Sequence, residues 1–74
     1  MTTKEKIELL QTAIKIQELI ICVVIYRDMD SESLIIASKY SDNTDIYIHS
    51  IDIYNRCIVR LEERYNKIIN NLNQ

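Results

Sequence analysis

"YIHSIDIYNRCIVRLEERYNKIINNL", residues 47–72, places apolar side chains at Tyr47, Ile51, Tyr54, Ile58, Leu61, Tyr65, Ile68 and Leu72. The steps alternate between four and three along its whole length. That spacing keeps one narrow stripe on one side of an α-helix, facing a single groove. A half-buried strand would instead alternate at every second residue. The stretch therefore predicts a helix of about 28 residues, a rod of about 42 Å.

The stripe has two zones. Before Ile58 it is broad, because Ile46, Ile48, Ile53 and Cys57 flank it; after Ile58 it narrows between Arg60, Glu62, Glu63, Arg64 and Asn66. The first zone is expected to pack within its own domain. The second, Ile58, Leu61, Tyr65, Ile68 and Leu72, is expected to meet a twofold partner, since shorter helices elsewhere in the chain leave part of the rod uncovered. Tyrosine at three stripe positions argues against a tight parallel two-stranded coil and for rings at the edges of a bundle, because a buried hydroxyl needs a partner.

Working backwards, Ser41-Asp42-Asn43-Thr44 reads as a loop of cap-forming side chains. A short helix is expected over Glu32 to Tyr40, after a loop at Arg27-Asp28-Met29-Asp30-Ser31. The first helix is expected to begin at Thr2 or Thr3, with Thr3 as its N-cap and Glu5 favoured by the helix dipole, and to end near Arg27. Ile7, Leu10, Ile14, Ile21 and Val24 follow helical spacing, and Leu9, Ile16 and Val23 widen the apolar arc to more than half the wheel. Lys4, Glu8, Gln11, Lys15 and Glu18 hold the opposite face. Beyond Glu18 that face is taken by Leu19, Cys22 and Tyr26, so the last two turns are apolar all round and need cover on several sides.

A rival reading follows β-propensity. Ile20 to Tyr26, Leu34-Ile35-Ile36 and Ile46-Tyr47-Ile48 suit strands and would give an α-β-β-(β)-α domain. The chain contains no glycine and no proline, whereas tight hairpin turns favour glycine. That absence and the unbroken 3-4 spacing decide for an all-α, long-short-long helical domain, a bundle completed by homodimerisation through the C-terminal helix.

At 74 residues the chain is one domain, residues 1–74. So small a domain has marginal stability and usually recruits a staple. Its two cysteines, Cys22 and Cys57, allow at most one bridge. No cleavable apolar leader precedes the first helix, so reduced thiols and a cytoplasmic location are expected; both cysteines are expected to be buried among apolar neighbours. Oligomerisation remains as the staple. The longest apolar run, Leu19 to Tyr26, is too short for a membrane span, which needs about 20 residues. The abundance of Ile, Asn and Tyr suggests an AT-rich genome, such as a low-GC bacterium, its phage or a large DNA virus.

No stretch spells out a chemistry. Asp45, His49 and Asp52 share a helical face, but three such residues on one helix read as solvated surface without a fourth ligand from elsewhere. No metal, cofactor or catalytic residue is assigned. Arg56, Arg60 and Arg64 step by four, with Lys67 beyond, and form a candidate anion- or partner-binding ridge. With a net charge of −2 and no second basic patch, nucleic acid is not the expected partner.

Ile7-Glu8-x-Leu10, Asp30-Ser31-Glu32 and Ser38-Lys39-Tyr40-Ser41-Asp42 resemble the small aspartyl-phosphate phosphatases of sporulating bacteria, helical hairpins that act on response regulators. The resemblance covers residues 5–42. Ser38 and Asp42 match that family's Ser-x-x-Leu-Asp signature, Ser41 stands where leucine is expected, and the glycine usual in the loop is missing. It implies Asp42 as the catalytic or water-orienting acid.

The main functional expectation is a small intracellular, non-enzymatic binding or inhibitory module that docks a helical face on a larger protein target. The alternatives are the phosphatase just described and an oligomer that holds an anionic ligand or nucleic acid through the arginine ridge.

Overall fold

The computed structural model describes residues 1–40 and 43–74. It is a helical hairpin. Helix α1 runs Thr3–Lys39 and helix α2 runs Asp45–Leu72. The all-α reading holds, and the segments that suit strands by propensity, 20–26, 34–36 and 46–48, are all helical. β-branched residues are only slightly poorer in helices than in strands, and packing of an amphipathic face overrides that preference.

One boundary differs from the expectation. The segment Arg27 to Ser31 is not a loop but the interior of α1, so the long-short pair is one helix. The side chains that look like caps are occupied otherwise. The Ser31 hydroxyl donates to the Arg27 carbonyl at 2.9 Å, back-bonding within the helix rather than ending it. The Arg27 guanidinium donates to Asn55 Oδ1 on α2 at 3.2 Å and lies beside Asp28 at 3.5 Å. With neither glycine nor proline here, nothing in the backbone forces a stop.

The helix ends follow capping chemistry. Thr2, one residue ahead of the expected Thr3, is the N-cap of α1; its hydroxyl accepts from the Glu5 N–H at 3.2 Å. Removing such an oxygen leaves an amide unsatisfied. Thr2→Ala is therefore expected to lower stability by about 1 kcal/mol, read as an earlier urea midpoint, whereas an unmoved midpoint would show that the cap contributes nothing. Before α2, Asn43 Oδ1 accepts from the Asp45 N–H at 3.0 Å. That α2 begins at Asp45 and ends at Leu72 agrees with the spacing from which it was read.

Because α1 continues through Ser31, it is long enough to lie along the whole of α2. Gln17 Nε2 donates to the Tyr65 hydroxyl at 3.0 Å, Arg27 meets Asn55, and Tyr26 stacks on Tyr54 with ring centroids 6.3 Å apart. These pairs fix an antiparallel register in which α1 residues 17–27 lie beside α2 residues 55–65. Among the described residues the buried side chains are Ala13, Ile16, Ala37 and Ile58. Two of the four are alanines, whose small size lets the helices approach closely.

The hairpin is a rod. Its extents are 58 × 14 × 13 Å and its radius of gyration is 17.0 Å, against about 11 Å for a compact domain of this length. Helix α1 is long and apolar enough to cross a membrane by length and composition alone: an 18-residue window reaches a mean hydropathy of 1.7, with 11% of it buried. Lys15 and Glu18 interrupt the apolar stretch ahead of the Leu19–Tyr26 run.

Candidate functional site

Each helix presents one line of side chains to the other and leaves the rest of its circumference open. On α2 the inner line is the 3-4 stripe. Ile58 is buried, and Tyr47, Ile51, Tyr54, Leu61, Tyr65, Ile68 and Leu72 are half-buried. Helix α1 is the only element available to cover them among the described residues. The stretch Ile58, Leu61, Tyr65, Ile68 and Leu72 thus has an intrachain partner. The tyrosines sit at edges, as expected for rings with a polar tip: Tyr65 is bonded to Gln17 and Tyr54 is stacked on Tyr26.

On α1 the inner line is Leu9, Ala13, Ile16, Ile20, Val23 and Val24, continued by Arg27, Ser31, Leu34 and Ala37, all buried or half-buried. The residues that dominate the sequence pattern, Ile7, Leu10, Ile14 and Ile21, are instead exposed, as is Ile25. At about 100° per residue they fall roughly a quarter-turn or more from the Ala13–Ile20 line. The sequence offers two parallel stripes on α1, and the one containing the small alanine is the one that meets α2. Counting large apolar residues ranks them in the opposite order.

The basic ridge lies on the outside of α2. Arg56, Arg60, Arg64 and Lys67 are all exposed. A step of four residues rotates about 40° around a helix, so the three arginines wind rather than align. Arg56, Arg60 and Lys67 share the line opposite the seam, and Arg64 turns towards one flank. Arg56 pairs with Asp52 at 2.9 Å. Among the described residues Arg60, Arg64 and Lys67 have no ion-pair partner. Asn55, Arg56, Val59, Arg60 and Glu63 border a shallow depression here. Exposed guanidinium groups of this kind grip an anionic surface only collectively, because each single contact in water is worth little.

The remaining candidates resolve simply. Asp45, His49 and Asp52 are exposed, with Asp52 engaged by Arg56; no group of three potential metal ligands gathers among the described residues. Cys22 and Cys57 are free and exposed, not buried. Their apolar sequence neighbours lie around a helix of which only one side is covered. Ser38 donates to the Leu34 carbonyl at 2.8 Å inside α1, and Asp42 lies outside the described residues. The residues resembling the phosphatases run along one helix as far as Lys39 rather than across a hairpin turn.

The chain matches no family model, no curated protein and no solved structure. The surface that sequence reasoning passed over is the outer apolar strip of α1; the signal for it was the arc covering more than half the wheel, which is twice what one neighbouring helix can bury.

Proposed function

We propose that this chain is a small intracellular, non-enzymatic binding module, an inhibitor or adaptor that presents the outer face of its hairpin to a larger protein. One observation carries the reading. The fold buries few side chains and leaves large apolar residues exposed along both helices, including Ile35, Ile36, Ile46 and Ile48. Extensive apolar exposure on a small chain marks contact surfaces. The outer line of Arg56, Arg60 and Lys67, with Arg64 on its flank, supplies the polar part of such a contact and favours a target with carboxylates or phosphates at that position.

The test is site-specific photo-crosslinking in cells that express the chain natively, from position 60 on the outer face and from position 58 in the seam. Position 60 is expected to yield a discrete adduct with a larger protein, and position 58 none. The captured protein is then purified and titrated. Replacing Arg56, Arg60 and Arg64 together by Gln should weaken binding at least roughly tenfold, while the helical circular dichroism signal stays unchanged, since solvated positions alter stability by less than about 0.5 kcal/mol each. Undiminished affinity in the triple variant would return the ridge to a solvated face. Binding that collapses steeply with added salt and needs only a polyanion points to phosphate contacts. Release of phosphate from a phosphorylated response regulator would overturn the non-enzymatic reading.

A further inference from the structure

We propose that the outer strip of α1, Leu10, Ile14, Ile21 and Ile25, is an interface between two copies of this chain, so that two hairpins close into an antiparallel four-helix bundle. This does not depend on any outside target. The four side chains are 48% to 59% exposed although they share one face of the helix, in two apolar pairs separated by Gln17 and Glu18. The hairpin exposes 5883 Å², whereas a folded monomer of its mass, 8.8 kDa, exposes about 4,800 Å². The surplus, about 1,100 Å² per chain, matches what each protomer of an obligate homodimer buries, a total of about 2,000 Å² or more.

The spacing along the strip identifies the occupant as a second copy. From residue 10 to 14, 21 and 25 the steps are four, seven and four, which read the same in both directions; Ile7, exposed on the same side of α1, lies beyond this symmetric set, opposite Asp28 of the other copy. A twofold axis at Gln17/Glu18 therefore sets Ile14 of one copy against Ile21 of the other, and Leu10 against Ile25, as an isologous contact requires. In an antiparallel pair the same flank of each helix meets its own counterpart. Lys15 and Glu18 border the strip on one flank, the one turned away from α2, so Glu18 of each copy comes within reach of Lys15 of the other. On the opposite flank both α2 helices lie on the same side of the α1 pair, which closes the bundle.

Lipid is the rival occupant of an apolar α1. The register argues against it. The α2 segment beside α1 residues 17–27 carries Arg56, Arg60, Glu62, Glu63 and Arg64, and a hairpin lying in a bilayer would take those charges into hydrocarbon.

Sedimentation equilibrium on the full chain at micromolar concentrations is expected to give twice the 8.8 kDa chain mass. Ile14→Glu with Ile21→Glu should raise the dissociation constant roughly a thousandfold or more, because both copies lose both contacts. Register is read independently in a Cys22→Ser, Cys57→Ser background. Ile14→Cys and Ile21→Cys chains, mixed and oxidised, should form the mixed disulfide in preference to either self-disulfide. That arm keeps the native hairpin and decides the matter even where the glutamate variant fails to fold. A monomer in buffer overturns the proposal, as does a dimer that survives both glutamates, or self-disulfides formed as readily as the mixed one. A monomer that sediments with phosphatidylcholine–phosphatidylglycerol vesicles assigns the strip to lipid instead.

Discussion

Ile58→Ala is expected to cost about 2–5 kcal/mol, the range for emptying a buried aliphatic site. Ile58 is 7% exposed and is the most buried residue of α2. A domain of this length has roughly 4–11 kcal/mol of total stability, so this truncation removes a large fraction of it. Ile58→Asp goes further, placing an unpaired carboxylate in the apolar seam against α1, and should leave the chain unfolded at room temperature. Ile53→Ala supplies the comparison. Ile53 lies on the same helix with 43% exposure, and its truncation should cost about 0.5 kcal/mol, as at ordinary surface positions. The measurement is urea unfolding followed by circular dichroism at fixed protein concentration, since association adds to apparent stability. Equal midpoints for the two alanine variants would mean that α1 does not cover the stripe.

The register of α2 was legible because one signal dominates it. Its polar residues and its 3-4 stripe agree, and the cap-forming run Ser41-Asp42-Asn43-Thr44 precedes its start. Helix α1 was harder to read for two physical reasons. Asp28, Asp30 and Ser31 have the side chains of a loop, but Ser31 bonds back to the Arg27 carbonyl and Asp28 lies beside Arg27 within the helix. Asn55 on α2 holds Arg27, and that contact is invisible to local propensity. The second reason is the doubled stripe. Two apolar lines a quarter-turn apart are what a bundle helix with two neighbours needs, and periodicity alone does not say which neighbour belongs to the same chain.

Ala13 settles that question in the fold. At 5% exposure it is among the most buried residues, and it contributes by being small. Hydrophobic ranking favours Ile7, Ile14 and Ile21, whereas close helix approach favours the line with the alanine. The arginine ridge shows the same limit in another form. Its residues were identifiable from a step of four, but that step drifts around the helix, so Arg64 leaves the line that Arg56, Arg60 and Lys67 keep. The cysteines misled for a related reason. Burial was inferred from sequence neighbours, and on a singly covered helix those neighbours point elsewhere.

Met29→Pro should unfold much of the chain, because it lies mid-helix in α1. Proline removes one backbone hydrogen bond, clashes with the carbonyl four residues earlier and disfavours helix at Asp28, a cost of about 3 kcal/mol or more. The Met29 side chain is itself exposed, so little packing is lost and the backbone effect is isolated. The helix–loop–helix reading of the same sequence gives the opposite result. In a loop at Arg27 to Ser31 a proline would be tolerated within about 0.5 kcal/mol, or would even stabilise by restricting the unfolded chain. Met29→Ala is the control and should leave stability nearly unchanged. A kink here also separates the two halves of the seam: the Gln17–Tyr65 side remains aligned while Ala37 is pulled off the start of α2. Amide hydrogen exchange should therefore show protection lost first around Ile46 to Ile51 and kept longest around Ile58 to Ile68. A proline variant with wild-type stability and exchange would return the segment to a loop, and with it the need for another element to cover the far half of α2.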